Sequence, residues 1–256
     1  MLEGTRSGLR ALGHLFADAR EPGRRTPTVA IDETRQAHWR ERLAEPLGPV
    51  APFALLRDYG IPTVNVDTAT SRDDAVRAAA RLGWPVVLKT NSPGVAHKSD
   101  VGGVVLGLGD AESLGTAYDE MTAALGPRVL ISQTASPGVE LALGLVQDPL
   151  LGPLVVVAAG GVLVEVLGDR GVGLPPLDED GAARLLDRLA ARPLLDGHRG
   201  AAATDIDSVV ACVLGLSHLA LELGDLILAL DVNPLIAGPK GALAVDVLLE
   251  LRDLPH

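Results

Sequence analysis

The pattern of apolar and polar residues changes near residue 49. Beyond it, short apolar runs typical of buried strands alternate with segments of helical spacing and with turns containing glycine or proline. The predicted strands cover residues 64–66, 85–89, 129–133, 140–145, 154–158, 162–167, 226–232 and 243–247. The predicted helices cover residues 51–59, 72–82, 111–125, 180–190 and 206–223. Because strands and helices follow no regular βα period, the pattern favours an α+β (mixed α/β) fold of two lobes.

Residues 1–48 have a different pattern. Residues 7–20 have helical spacing with apolar residues on one side, and residues 21–27 are charged and rich in proline and glycine. Residues 31–44 are mostly polar and could be helical. Segments of this kind are weak in apolar contacts. We therefore expect residues 1–48 to be a leader or linker that docks weakly or is mobile.

Composition and charge exclude several classes of function. The net charge is −11 and aromatic residues make up 2% of the chain, which argues against binding to nucleic acid by charge or by base stacking. The most apolar run, residues 149–164, is too short and too rich in glycine to span a membrane. The N-terminus shows no signal peptide, and the single Cys212 stands among apolar residues as a buried, inert thiol. The sequence predicts a cytoplasmic protein that binds neither nucleic acid nor a membrane.

The first candidate for phosphate chemistry is Lys89, at the end of an apolar strand. Its ammonium could reach a phosphate while its stem packs, although a lysine at a strand end often only reaches solvent. The glycine-containing segment 92–103 follows, in which backbone N–H groups, Lys98 and His97 could meet an anion, or which could be an ordinary hairpin. Neither a Walker A loop nor a G-x-G-x-x-G fingerprint is present.

Oxygen ligands form the second group of candidates. Asp231, Asn233 and Asp246 stand at the ends of apolar runs, and carboxylate and amide oxygens suit Mg²⁺ that also binds phosphates. A turn and a solvated strand end are the alternative explanations. Arg199, between two glycines, could bind a phosphate through its fork or lie in a surface turn.

Ordered segments of the chain resemble the ATP-grasp β-type subunit or domain of ADP-forming (NDP-forming) acyl-CoA synthetases and, more distantly, the β chain of succinyl-CoA synthetase. The matching segments are LLRDYGIP (55–62), PVVLK (85–89), SPGVAHKSDVGGV (92–104), GVELALG (138–144), GGVLVE (160–165), LPPL (174–177), residues 198–205 and LDVNPL (230–235). The resemblance covers residues 49–250 and implies a two-lobed ATP-grasp fold. Residues 49–132 would form its small lobe and residues 133–256 its C-terminal lobe, after a leader (1–48) that includes a remnant of a preceding ligase domain.

The resemblance also implies a role for each matching residue. Lys89 would hold the α- and β-phosphates of ATP or ADP, and residues 92–103 would form a mobile loop over the phosphates. Gln133, Thr134 and Ala135 would lie in the adenine hinge, and Glu140 near the ribose or the metal. The remaining nucleotide contacts would come from Lys98, Gly102, Gly103 and Arg199. Asn233 and Asp246 would bind Mg²⁺. His97 would relay a phosphoryl group, and Asp231 would lie near an incoming phosphohistidine.

The function that the resemblance implies is phosphoryl transfer between ADP or ATP with Mg²⁺ and a phosphohistidine, as one half of an acid–thiol ligase. The other half would be an α-type subunit or domain that binds CoA and carries the phosphohistidine. A regulatory module that binds ATP without chemistry is an alternative, as is a stand-alone ATP-grasp carboxylate ligase. The chain departs from the family at Gly173, where relatives commonly have arginine, at His198, where an aromatic residue is usual, and at Asp231, which is often Glu.

Overall fold

The computed structural model describes residues 27–92, 94, 98, 101–160, 169–197 and 202–252. The helices within these residues are α1 (Glu33–Leu43), α2 (Ala51–Asp58), α3 (Arg72–Leu82), α4 (Ala111–Leu125), α5 (Glu179–Asp187), α6 (Arg192–Leu195) and α7 (Ile206–Leu223). The strands are β1 (Val66–Ala69), β2 (Val86–Thr90), β3 (Val104–Leu108), β4 (Val129–Gln133), β5 (Val139–Asp148), β6 (Gly152–Ala159), β7 (Arg170–Gly173), β8 (Ile227–Gly238), β9 (Gly241–Ala244) and β10 (Leu248–Leu251). The strand predicted at residues 162–167 lies outside the described residues.

The described strands form two antiparallel sheets, one in each lobe. The small sheet has the order β1-β4-β2-β3, and α3 and α4 cover one of its faces. The large sheet has the order β10-β8-β5-β6-β7, with β9 paired to β8. Helices α5 and α7 pack on the large sheet in one extended core. The predicted α+β fold with two lobes is confirmed.

Helix ends in the small lobe follow from local sequence. Helix α3 begins after Ser71, whose side chain accepts a hydrogen bond from the N–H of Asp74, and ends at Gly83 with a φ of 87°. Helix α4 begins after Asp110, which forms a capping box with Ser113. Such caps satisfy N–H groups that have no partner within the helix, and glycine is suited to the left-handed φ at the end.

The two faces of the small sheet differ in chemistry. Val86 and Leu88 on β2 and Val129 and Ile131 on β4 belong to the core beneath the helices. Side chains alternate between faces along a strand, so the residues between them point to the opposite side. We call this side the cleft face; it carries Val66, Val87, Lys89, Leu130 and Ser132.

An apolar cluster on the cleft face joins the two lobes. Leu130 packs there with Phe53 and Val64, and the partly buried Val245 and Val247 from the large lobe pack against them. Thr63 also pairs with Ala244 in an isolated parallel bridge. The cleft face of the small sheet therefore lies against the β9–β10 corner of the large lobe.

The N-terminal helices belong to the core of the large lobe, which corrects two expectations. Trp39 and Leu43 of α1 are buried in that core, so the prediction of weak docking for residues 1–48 is wrong for residues 33–43. Leu55, Leu56 and Ile61, which the sequence placed in the small lobe, are also buried there. The polar composition of α1 concealed its docking, because much of its attachment is through paired charges.

Helix α7 is long and apolar enough to span a membrane by length and composition alone, but 56% of that segment is buried inside the fold. It is the central helix of the large core, packed between the sheet, α5 and α1. Cys212 on this helix is fully buried, and burial raises the pKa of its thiol to about 12. The thiol is therefore inert at neutral pH, as predicted.

Candidate nucleotide-binding site

Lys89 is the buried cation of the cleft. It ends the apolar run of β2, and its Nζ donates a hydrogen bond of 2.9 Å to the carbonyl of Val245. The same Nζ lies 3.6 Å from Oδ1 of Asp246. Burial lowers the pKa of Lys89, attraction to Asp246 partly offsets this, and the neighbouring charge of Lys98 lowers it further. A buried ammonium with one short hydrogen bond is well placed to gain from a phosphate.

The segment that carries Lys98 returns to β2 through Gly103. The N–H of Gly103 donates to the carbonyl of Lys98 at 2.7 Å, and its own carbonyl accepts from the N–H of Thr90 at 2.7 Å. A Cβ at position 103 would lie 2.6 Å from Cγ2 of Thr90 and 2.8 Å from the carbonyl oxygen of Lys98, so only glycine fits. Nζ of Lys98 then lies 3.5 Å from both carboxylate oxygens of Asp246. Gly102 is exposed with a φ of 69°, and His97 lies outside the described residues.

Strand pairing around β8 brings the predicted oxygen ligands to the same corner. Asp231 pairs with Gly144 on β5 and with Leu248 on β10. The register with β5 shifts between Leu141 and Leu143, so that Asn233 and Pro234 both lie opposite one residue, as in a β-bulge. The N–H of Val245 donates to the carbonyl of Pro234 at 3.0 Å, which holds the β9–β10 corner beside the bulge. Asn233 and Asp246 thus lie on adjoining segments.

The electrostatics of this corner favour a bound cation. Partial desolvation raises the pKa of Asp231, and the negative charge of Asp246 raises it further. Nζ of Lys98 already sits against both oxygens of Asp246. In the part of the chain that the structure describes, no group of three or more His, Cys, Asp or Glu could hold a metal by itself. Asn233 and Asp246 offer an amide and a carboxylate oxygen, the donor types that suit Mg²⁺ which arrives with phosphates and keeps some of its water.

The hinge between the lobes uses most of its polar groups internally. Oε1 of Gln133 accepts from Asn65 at 3.0 Å, and its Nε2 donates to the carbonyl of Leu82 at 2.8 Å. The N–H of Gln133 donates to Asn65, and that of Thr134 to Pro85. Ala135 packs against the apolar cluster of the cleft. The side chain of Gln133 is thus committed to the small lobe, and nucleotide contacts here would fall to backbone groups of the hinge or to the exposed Thr134.

Residues 39–251 match the sequence model of the family described as "ATP-grasp domain". The chain therefore belongs to the ATP-grasp family. It is 32% identical over 205 residues to the β subunit of acetate–CoA ligase [ADP-forming] I from Pyrococcus furiosus, covering 77% of this chain and 88% of that subunit. It is 33% identical over 235 residues to acetate–CoA ligase [ADP-forming] I from Archaeoglobus fulgidus, covering 88% of this chain but 34% of that protein.

A solved structure gives the same result in three dimensions. It is dinucleotide forming acetyl-coenzyme A synthetase 1 of Ca. Korarchaeum cryptofilum, in complex with coenzyme A and Mg-AMPPCP, with its phosphohistidine segment pointing towards the nucleotide binding site. The TM-score is 0.69 at 38% identity, over 77% of this chain and 88% of that one. This ATP-grasp chain is thus a β-type chain of the ADP-forming acyl-CoA synthetases, as the resemblance implies.

The ATP-grasp cleft gathers some of the predicted residues and not others. Lys89, Lys98 and Asp246 are in contact, Asp231 is close enough to Asp246 to feel its charge, and Asn233 lies in the adjoining bulge. Arg199 and Glu165 lie outside the described residues, as does His97.

Glu140 stands apart from these residues. Its side chain is exposed, and within the described ranges no hydrogen bond or ion pair joins it to the cleft lysines or to Asp246. Its carbonyl accepts from the N–H of Gly160 at 2.8 Å, and a Cβ at Gly160 would lie 2.7 Å from that carbonyl carbon. The close approach fixes the backbone of Glu140 and explains a glycine at 160.

Two features of the cleft were missed from the sequence. The carbonyl of Val245 holds the ammonium of Lys89, and a carbonyl contact leaves no signal in residue types. Ser132 is a buried polar residue on the cleft face; its position one residue before the hinge was the available signal.

The space around Gly173, where relatives commonly have arginine, is already filled by neighbouring side chains. Gly173 lies at the end of β7, where a Cβ would meet Cδ1 of Leu185 at 3.0 Å and Cδ2 of Leu177 at 3.1 Å. A larger residue would require both leucines to shift by a few tenths of an ångström. The core around β7 has thus filled the space beside this glycine.

Proposed function

We propose that this chain is the nucleotide-binding half of an ADP-forming acyl-CoA synthetase and transfers a phosphoryl group between ADP or ATP and a phosphohistidine. The observation that carries the proposal is the contact of Lys89 and Lys98 with Asp246 in the cleft of an ATP-grasp chain. Two cations and a carboxylate that partly neutralise one another suit a ligand that brings both phosphates and a divalent cation.

Each of these residues has a role in binding. Lys89, fixed by the Val245 carbonyl, would hold the α- and β-phosphates as a point charge. Lys98 would leave Asp246 for the phosphates, and Asp246 with Asn233 would then take Mg²⁺. The metal supplies neutralisation of phosphate charge and a fixed orientation of the terminal phosphoryl group. Lys98, Gly102 and Gly103 would close the phosphate end of the cleft and exclude water.

In the direction of ATP synthesis, the P–N bond of the phosphohistidine breaks and a P–O bond to the β-phosphate of ADP forms. The electron pair of the P–N bond returns to the imidazole, which leaves as a neutral ring because its other nitrogen carries a proton throughout the step. Asp231, next to Asp246 and with a raised pKa, would lie beside this imidazole and orient its other ring nitrogen. With His97 as a phosphoryl relay, the exchange occurs twice: the P–N bond to the partner's histidine breaks as one to His97 forms, and the P–N bond to His97 then breaks as the P–O bond to ADP forms.

We propose a cytoplasmic α-type chain as the partner that brings the phosphohistidine, CoA and the acyl group. Support comes from the lengths of the relatives. The chain spans 88% of a separate β subunit in Pyrococcus furiosus but 34% of the ligase from Archaeoglobus fulgidus. The rest of that longer protein is where an α-type half would lie. Neither nucleic acid nor a membrane is proposed as a partner.

The proposal is tested by phosphoryl transfer from radiolabelled ATP. The purified chain is mixed with a candidate α-type chain, Mg²⁺ and γ-labelled ATP, and acid-labile, base-stable label on histidine is measured. We expect label on the partner, its loss on adding ADP, and no label with Lys89→Ala. Absence of label on any histidine, in a mixture that shows nucleotide binding, would instead favour a regulatory role.

A further inference from the structure

Ser132 in β4 is a buried polar residue without a structural explanation. Its side chain is fully buried, and its hydroxyl oxygen has no hydrogen-bond partner among the described residues. Buried hydroxyl groups are nearly always paired, because an unpaired one loses its contact with water without compensation. Ser217, which is equally buried, follows this rule by accepting a hydrogen bond of 2.9 Å from the N–H of Leu177.

Strand register shows where the side chain of Ser132 points. Ser132 is directly opposite Val87 on β2 and Val66 on β1, and Leu130 is directly opposite Lys89. Residues that face each other across antiparallel strands point to the same side of the sheet. Ser132 is therefore on the cleft face with Lys89, as its diagonal neighbour at about 7–8 Å.

The surroundings on this face suit a flat apolar ligand with a polar edge. The apolar cluster of the cleft is aliphatic except for Phe53: Phe53, Val64 and Leu130, with Val66, Ala135, Leu243, Val245 and Val247 packed against them. Ligand sites combine such apolar walls with a few placed polar groups. Val245 contributes both to the apolar wall and to the polar groups. Its side chain joins the apolar cluster, and its carbonyl accepts a hydrogen bond from Lys89 at the proposed phosphate end.

Several other polar groups at the hinge are already committed. Gln133 uses its side chain and its N–H within the small lobe, and Thr134 donates its N–H to Pro85. A hydroxyl can both donate and accept a hydrogen bond. The Ser132 hydroxyl is thus a side-chain group still free to orient a base.

We propose that the Ser132 hydroxyl hydrogen-bonds the edge of the purine base of the bound nucleotide and positions that base beside the hinge. The proposal rests on the proposed nucleotide function and adds to it a residue that recognises the base. Since the hydroxyl is covered in this structure, the base reaches it by displacing part of the apolar cluster. Ser132 is a positioning residue, because it is on the base side of the site and not at the reacting phosphates.

The test compares a ligand that has a base with one that lacks it. Calorimetric titrations of the wild-type chain and Ser132→Ala use Mg-ADP and Mg-pyrophosphate. We expect Ser132→Ala to weaken Mg-ADP binding about fivefold to tenfold, with Mg-pyrophosphate binding unchanged. The free protein should melt about 2–4 °C higher, because an unpaired buried hydroxyl is removed. Ser132→Cys, which replaces the hydroxyl with a slightly larger and weaker donor, should lose ADP affinity to a similar extent.

Ser217→Ala is the matched control, since it removes a buried hydroxyl that has a partner. It should lower the Tm, whereas Ser132→Ala should raise it, and it should leave the affinities for Mg-ADP and Mg-pyrophosphate unchanged. Wild-type affinity of Ser132→Ala for Mg-ADP would overturn the inference, as would equal weakening of both ligands. If Lys89→Ala loses both ligands while Ser132→Ala loses neither, only this inference fails. If the wild-type chain binds neither ligand, the proposed function fails with it.

Discussion

Among the described residues, two clusters of charged and polar side chains are each built around a buried charge, and they are built in different ways. One, the latch cluster (Glu222, Arg35 and Tyr59), attaches α1 to α7. The other, the cleft cluster (Lys89, Lys98, Asp246 and Asp231), lies between the lobes. Both contain a charged side chain with almost no exposure to water, Glu222 at 1% and Lys89 at 4%.

The buried carboxylate of the latch cluster has all its hydrogen-bond partners within the protein. Glu222 accepts hydrogen bonds from Arg35 at 2.7 and 3.0 Å, from the hydroxyl of Tyr59 at 2.7 Å and from the N–H of Asp32 at 3.0 Å. The guanidinium of Arg35 also lies 4.2 Å from the centre of the Tyr59 ring. Burial alone would raise the pKa of Glu222, but the hydrogen bonds from Arg35 and Tyr59 outweigh burial and lower it.

The cleft cluster is left incomplete. Its charged contacts are 3.5–3.6 Å long, and the one short bond of Lys89 goes to a carbonyl. The pKa of Lys89 is lowered, chiefly by burial, and that of Asp231 is raised, so each charge is disfavoured where it stands. The comparison teaches that a buried charge can be completed by its neighbours and hold the fold together, or be left incomplete, which is why we assign the cleft cluster to a ligand.

The largest expected effect breaks the latch cluster. Glu222→Ala leaves Arg35 and Tyr59 without their common acceptor, so we expect a loss of about 3 kcal/mol in the free energy of unfolding, measured in urea. The stabilisation by Glu222 is present above its ordinary pKa of 4.5 and is lost as the pH falls through its lowered value.

Asp225→Ala is the control for this variant. Asp225, just beyond the end of α7, pairs with Arg40 of α1 but is exposed, so its removal should cost less than about 1 kcal/mol. Equal losses of unfolding free energy in the two variants would show that the buried Glu222 stabilises the fold no more than an exposed ion pair does.

The second effect removes the central cation of the cleft cluster. Lys89→Met should weaken Mg-ADP binding about 100-fold, because it removes a charged hydrogen bond to phosphate, while the urea midpoint stays unchanged or rises. Lys240→Met, in the exposed turn between β8 and β9, should change neither quantity. A Lys89→Met chain that unfolds more easily but binds normally would make Lys89 a structural residue like Glu222.

The third effect concerns the metal. Asp246→Asn removes the carboxylate that both lysines contact, so the Mg²⁺ concentration needed for half-maximal ADP binding should rise about tenfold. The measurement is a Mg²⁺ titration at fixed ADP, with Asp225→Asn as the control. An unchanged Mg²⁺ requirement would remove Asp246 from the set of ligands.

The smallest effect depends on pH. The folded chain raises the pKa of Asp231, so its carboxylate destabilises the fold above its ordinary pKa of 3.8, and this penalty fades as the pH falls. Asp231→Asn should therefore raise the Tm by about 1–2 °C at pH 7. The difference from wild type should shrink as the pH is lowered toward 4. A Tm difference that grows toward acid pH would mean that the fold lowers the pKa of Asp231 and does not raise it.

Local order in the sequence determined much of the fold. Ser71 and Gly83 bound α3 because a cap needs a side-chain acceptor and a left-handed φ needs glycine, and both requirements are visible in residue types. The apolar run before Lys89 placed this residue at a strand end, and the ordered segments indicated the family that the comparisons show. The polar spacing of α1 gave a wrong expectation, since its decisive partner, Glu222, is 187 residues away from Arg35.

Only the tertiary structure decided which charges meet. Lys89 and Val245 are 156 residues apart, and their contact depends on the packing of the cleft face against the β9–β10 corner. Asp231 and Asp246 meet through the pairing of β8 with β9 and β10, and Ser132 faces the cleft because of the register of β4 with β2. Residue types fix what each side chain can do, but strand register and lobe packing are cooperative, long-range properties. They alone decide that the latch is completed by its own neighbours and that the cleft is left open to a ligand.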